Sequence, residues 1–247
     1  MRVLALDTTT RGGSLALVVD DRVVEERSGD ESRTHAECLP AALLDVLGRA
    51  GLSPAAIDVF AVAVGPGSFT GIRIGIATIQ GLALATGRPV VTASALEMLA
   101  LAGSAGRLPG TLVGACMNAH RGDLFSALYR VGDQPRFHRQ HLLELDPPRV
   151  DRADVVLAAW SARFGMPAVL AGDAATLCAA QTAPTVDVRH ATAPLAGLLG
   201  RWAVGRAAEG AAIHPAAIQP IYVRRPDAEL ARDRALDSSG AAGGRSA

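Results

Sequence analysis

Short apolar runs broken by turn residues open the chain: RVLALD over residues 2–7 and SLALVV over residues 14–19, separated by TTTRGG, then DD before RVVEE. Runs this short between turn residues predict an antiparallel meander of three strands. From Thr34 the period changes to that of a helix. Thr34 and Glu37 have capping-box spacing, Leu39, Leu43, Val46, Leu47 and Ala50 recur at helical intervals, and Gly51 supplies the stop, so residues 34–50 read as helix. Pro40 fits only a first turn and leaves the start of that helix open. A continuous apolar run, DVFAVAV over residues 58–64, predicts a buried strand; the block GPGSFTGIRIG follows it, then a helix over residues 69–85 and a strand near residues 89–91. Three meandering strands extended by parallel strands through helical crossovers form a ribonuclease-H-like lobe.

The second half begins again. LVGACMNAHRGDLFSALYRV, residues 112–131, repeats the grammar of LALDTTTRGGSLALVV: an apolar strand, a polar residue at its end (Asp7, then Asn118), an Arg-Gly turn and another apolar strand. A third strand is expected over residues 136–140, a helix over 153–164, a strand over 168–171, a short helix after Asp173, a strand near 186–188 and a helix over 195–209. The fold class is therefore α/β, two tandem ribonuclease-H-like lobes in an actin-like ATPase architecture. The expected division is a first lobe over residues 1–106, a second over 107–225 whose last helix can pack back on the first, and a disordered tail over 226–247, where charged residues give way to Gly, Ser and Ala.

Composition narrows the picture. Hydrophobic residues are 49% and aromatics 4%, so the core is built from Ala, Val and Leu. Lys plus Arg and Asp plus Glu are 24 each, and a neutral chain has no long-range field to draw in a phosphate backbone; any RNA role points to a partner holding most of it. Cys38, Cys116 and Cys178 are odd in number, far apart and lack CxxC spacing, which suggests neither a disulfide framework nor a zinc site and fits a reducing compartment. Met1-Arg2 leads directly into VLALD without a signal-like segment, and Arg73 and its glycines argue against membrane insertion of the helix after Gly71, so a cytoplasmic protein with no membrane partner is expected.

The glycine-rich block fails two familiar tests. A P-loop needs a lysine and a hydroxyl after its last glycine, but Gly71 is followed by Ile72-Arg73; a dinucleotide fingerprint needs glycine where Thr70 stands. What survives is either an anion-binding helix N-terminus or a sharp turn whose glycines permit close packing. The candidate nucleotide or anion loop comprises Asp7, Thr8, Thr9, Gly12, Gly65, Gly67 and Ser68. Asp7 either positions magnesium, as in actin-like ATPases and sugar kinases, or hydrogen-bonds its own turn. Ser14, Ser68, His35 and Asp7 form no local triad motif, and His138 with His141 reads as a solvated pair, so no catalytic and no metal residue is assigned. In the helix over residues 69–85, Ile72, Ile74, Ile76, Ile79, Leu82 and Leu84 spread round the axis, which predicts burial or packing against both its own sheet and another subunit. The expected partner interface is Leu39, Leu43, Leu47, Ile72, Ile76, Ile79 and Leu82.

LALDTTTRGGSLALV, THAECLP, AVAVGPGSFTGIRIGIATIQGLALATGRPVV and QPIYVR (residues 219–224) resemble the bacterial TsaB (YeaZ) family, densely over residues 2–105, thinly through the second half and briefly again near the end. The resemblance implies a non-catalytic scaffold for N6-threonylcarbamoylation of adenosine 37 in tRNAs that read codons beginning with A. It implies binding through first-lobe helices to TsaD, the paralogue that carries the transferase site, with the ATPase TsaE joining them. It also implies a homodimer when the partner is absent, indirect contact with tRNA, and no cofactor of its own, ATP or ADP binding only in the complex. TsaD-like proteins carry a His-x-x-x-His metal pair, and a gapless register places Ala95 and Leu99 at those positions, leaving Glu97 as a helix-surface residue. The family's Asp-Ala-Arg turn is Asn118-Ala119-His120 here. The alternative is an ATP-dependent small-molecule kinase of the same fold using Asp7 and the glycine turn.

Overall fold

A computed structural model describes residues 1–30, 32–182, 184–189 and 194–224; the expected tail over residues 226–247 lies outside them. The first sheet joins β1 (Arg2–Asp7), β2 (Ser14–Val19), β3 (Arg22–Ser28), β4 (Val59–Ala63) and β5 (Val90–Ala93) in the order β3-β2-β1-β4-β5, the meander antiparallel and the added strands parallel. The second joins β6 (Leu112–Asn118), β7 (Asp123–Val131), β8 (Leu142–Arg152), β9 (Val169–Ala171) and β10 (Asp187–Arg189) in the equivalent order, β10-β9-β6-β7-β8. The helices are α1 (His35–Arg49), α2 (Phe69–Thr86), α3 (Ala95–Gly103), α4 (Ala153–Arg163), α5 (Ala175–Ala179) and α6 (Ala196–Ala208). This is the expected actin-like pair of ribonuclease-H-like lobes.

Strand alternation builds the layers. In β1, Leu4 and Leu6 face α1 and α2, while Val3 and Ala5 face the middle of the molecule; β4 divides the same way, Phe60 and Val62 outward, Val59, Ala61 and Ala63 inward. The small inward residues let α6 lie close: a Cβ on Gly200 would stand 2.5 Å from the Val18 side chain. The middle layer is made of two exchanged helices. α6, from the second half, covers the first sheet, and α3, from the first half, covers the second sheet, so both inner faces and both helices share one core. On the far side of the second sheet, Cys116, Leu124, Leu128 and Leu170 pack with Trp160 of α4 and Cys178 of α5.

Two expectations are corrected. Residues 136–140 are not a strand; the third strand of the second lobe is β8, because tight turns through Pro135, His138 and His141 fill that stretch. β8 is the sheet's edge, where Pro147 and Pro148 cost no needed ladder bond. Helix α3 was absent from the predicted order. Ala95, Leu96, Met98, Leu99, Ala100 and Leu101 are all buried, so the segment shows no amphipathic stripe. Pro40 lies inside α1, beyond its first turn.

Candidate functional site

A cleft of 620 Å³ opens between the lobes, walled by the turn after β1, the turn into α2, the turn after β6 and the segment 221–224. The first two walls are locked together. Thr8 Oγ1 donates to Gly71 O at 2.8 Å, and Ser68 N donates to Thr9 O at 2.8 Å. A Cβ on Gly71 would meet Thr8 O at 2.1 Å, one on Gly75 would meet Thr8 Oγ1 at 2.1 Å, and Gly67, at φ 155°, would place one 2.3 Å from Thr9 O. The glycines therefore serve close approach of two backbones. Ser68 caps α2 by accepting from Gly71 N at 3.2 Å.

Of the candidate loop residues, Thr9, Gly67 and Ser68 line the cleft. Asp7, Thr8 and Gly12 line a separate, smaller space of 40 Å³ beside α1, and Gly65 packs on Ile221 O. Asp7 is 2% exposed and its Oδ1 accepts from Thr9 N at 2.9 Å and Thr9 Oγ1 at 2.6 Å. Burial raises its carboxyl, with the Thr9 bonds and His35 pulling the other way. Of the two readings of Asp7, the buried turn anchor matches this geometry. In the second lobe Asn118 Oδ1 accepts from His120 N at 2.8 Å, and Asn118 N donates to Asp173 at 2.9 Å.

The segment 221–224 ties both lobes across the cleft. Ile221 N donates to Val64 O at 2.8 Å on one side; on the other, Arg224 reaches Ala119 O at 2.7 Å and the Asp123 carboxylate. Tyr222 forms a lip with α2: its ring lies 4.9 Å from Phe69, and Arg73 stacks 3.8 Å over Phe69 while donating to the Tyr222 hydroxyl at 3.1 Å. Sequence reading missed this cluster; YVR within QPIYVR was its only local signal.

Comparison with known proteins decides what the frame is. A family model described as TsaD: tRNA N6-adenosine threonylcarbamoyltransferase matches residues 29–139. The "tRNA threonylcarbamoyladenosine biosynthesis protein TsaB" of Escherichia coli (strain K12) is 34% identical over 151 residues, 61% of this chain and 64% of that protein. The protein of the same name from Bacillus subtilis (strain 168) is 31% identical over 160 residues, 65% of this chain and 64% of that one. The solved structure titled "YeaZ from Pseudomonas aeruginosa" superposes with a TM-score of 0.72 at 27% identity, covering 90% of this chain and 99% of that one. The chain is similar to the TsaB (YeaZ) proteins over 61–65% of its length. The stretch matching the two curated TsaB proteins spans 64% of their length, and those relatives carry names that assign them to threonylcarbamoyladenosine biosynthesis.

At the two positions that the register equates with the TsaD metal pair, this chain places Ala95 and Leu99, 0% and 3% exposed, in the core between the sheets. Glu97 is half-buried instead of lying on the open helix surface, and burial pushes its carboxyl up to about 7, Glu144 adding to that and Arg206 and the Ser94 N–H opposing it. His141 is buried, 3.0 Å from Ser104 Oγ and 2.9 Å from Gln134 O, instead of solvated. Among the described residues no cluster of three metal-capable side chains occurs.

The expected interface is also redrawn. Leu39, Leu47, Ile72 and Ile79 are sealed against their own sheet, while Leu43, Ile76 and Leu82 are partly covered. The isoleucines that seemed to encircle α2 are a sheet-facing stripe, Ile72, Gly75, Ile79 and Ala83, with its flanks. The face left open is Arg73, Ala77, Gly81, Leu84 and Ala85 on α2, with Leu44 on α1; Leu84 is 54% and Leu44 74% exposed. α2 is the one described helix long and apolar enough to cross a bilayer, yet its inner stripe packs on β1, β4 and β5.

Proposed function

We propose that this chain is a non-catalytic subunit of the threonylcarbamoyladenosine machinery of tRNA, pairing with a TsaD paralogue through the open faces of α1 and α2. The observation that carries this reading is the small, apolar outer stripe of α2, Ala77, Gly81, Leu84 and Ala85, flanked by Leu44. Gly81 has nothing within 4 Å of a built Cβ, so a partner helix can approach its backbone closely. The match of residues 29–139 to a TsaD model supports a partner with equivalent helices, and two such faces make a pseudo-two-fold pair, or a homodimer when TsaD is absent. Ala95 and Leu99 offer no imidazole, thiolate or carboxylate, which supports assigning the chemistry to the partner. TsaE joins this pair, and ATP or ADP enters the hydroxyl-lined cleft only in the complex.

The test is gel filtration of TsaD with the Ala77→Glu or Leu84→Glu variant. A charge at a desolvated contact costs at least about 2 kcal/mol, roughly 30-fold in affinity, while an exposed position leaves folding intact. Full-strength complexes with folded variants would refute the interface. Threonylcarbamoylation by TsaD and TsaE without this chain would refute the function.

A further inference from the structure

Formal neutrality conceals a local excess of positive charge at the end of α3, far along the chain from the cleft residues. The loop between β7 and β8 brings Arg136 to Leu101 O at 3.0 Å, and Arg189 Nη1 donates to Ala105 O at 3.0 Å. Arg107 joins Arg189 on the Asp187 carboxylate. From α6, Arg201 stacks 4.4 Å over the Phe137 ring, and Arg136 lies 5.6 Å from that ring. Arg139 is exposed on the same loop.

Arg107 and Arg189 thus share one carboxylate, with half-buried Arg136 and Arg201 beside them. Glu209 is engaged by Arg206 and lies 3.9 Å from His138, and Asp133, on the same loop, accepts from Gln134. Among the described residues no carboxylate pairs with Arg136, Arg139 or Arg201. The Nε atoms of Arg107 and Arg201 are buried without a hydrogen-bond partner. Two arginines capping the carbonyls of a helix C-terminus would be an ordinary arrangement. That role leaves Arg201, stacked on Phe137, outside the cap, and it leaves the two Nε donors unsatisfied. Burial, then repulsion from Arg201 and Arg189, holds the Arg136 guanidinium below its usual range.

We propose that Arg107, Arg136, Arg189 and Arg201, with Phe137 between two of them, form a binding site for the phosphates of an RNA backbone. Planar N–H forks match phosphate oxygens, and alternating guanidinium and aromatic groups are a recurring RNA-contact surface. The choice of tRNA as that RNA rests on the function proposed above; the phosphate site itself does not. Its position on α6 and the β7–β8 loop leaves the open faces of α1 and α2 clear.

The test uses the full chain and fluorescein-labelled unmodified tRNA, with anisotropy read from about 50 to about 200 mM salt. Arg136→Gln and Arg201→Gln are each expected to weaken binding about equally for different tRNA sequences and to lower the salt slope by about one; Arg201→Lys keeps the slope. Circular dichroism establishes that each variant is folded, and Arg139→Gln supplies a variant with no structural bond to lose. A folded Arg136→Gln/Arg201→Gln protein with wild-type affinity and slope overturns the site. So does saturable binding of inorganic phosphate without tRNA binding, or displacement of tRNA by polyglutamate at equal charge, which would assign the patch to an acidic protein. Co-elution with TsaD is read separately: its loss with tRNA binding intact defeats the pairing proposal alone.

Discussion

Replacing Glu97 with Gln should change the pH dependence of stability in a calculable way. The native carboxyl titrates at about 7 against a usual 4.5, mainly through burial. Below pH 4.5 it is protonated in both folded and unfolded chains and costs nothing. Between the two values the unfolded chain surrenders a proton that the native one retains, so stability falls as pH rises, and above about 7 the penalty levels off. At ~1.36 kcal/mol per pH unit the gap gives a ceiling of about 3 kcal/mol, reduced by whatever solvent reaches this half-buried group. Glutamine keeps an acceptor for the Ser94 N–H and has no proton to lose. Urea midpoints for both proteins should nearly coincide at about pH 4 and separate by about 1–3 kcal/mol at about pH 8, the variant being the more stable. Subtracting the two curves removes Asp7 and Glu26, whose raised carboxyls act identically in both proteins. A difference that does not vary with pH would refute the assignment.

Gly75→Ala sets a methyl against Thr8 Oγ1 and should lower thermal stability by about 1–3 kcal/mol, with the change confined to the junction between the β1–β2 turn and α2. Ile79→Ala, at a fully buried position, should cost about 2–5 kcal/mol in a urea melt, whereas Leu84→Ala on the open face of the same helix should stay within about 0.5 kcal/mol. Equal losses at the two positions would contradict the redrawn face of α2.

The sheets were legible because β1, β2, β4, β6 and β7 are short apolar runs between turn residues. α3 was not, because a helix clamped between two sheets is oily all round and carries no period. β8 hid behind ELDPPRVDR, whose prolines and charges read as loop until the edge of a sheet makes them acceptable. At the site, the failed P-loop and dinucleotide tests left an anion-binding helix N-terminus or a packing turn, and the structure shows that Thr8 and Thr9 are what the glycines admit. Side-chain direction was the commonest loss. Asp7 at a strand end, Glu97 in a helix and His141 in HRQH all have sequence surroundings compatible with solvent, yet tertiary contacts bury Asp7 and His141 and half-bury Glu97.

The exchange of α3 and α6 between the halves has a mechanical meaning. In a hinged clamp each jaw owns its inner lining, and the jaws part along a seam. Here each jaw wears the other's lining, so spreading them means peeling a helix from a sheet and wetting alanine and valine on both sides. The notch between them is accordingly braced from both sides, and its width is set by the shared core and not by a hinge.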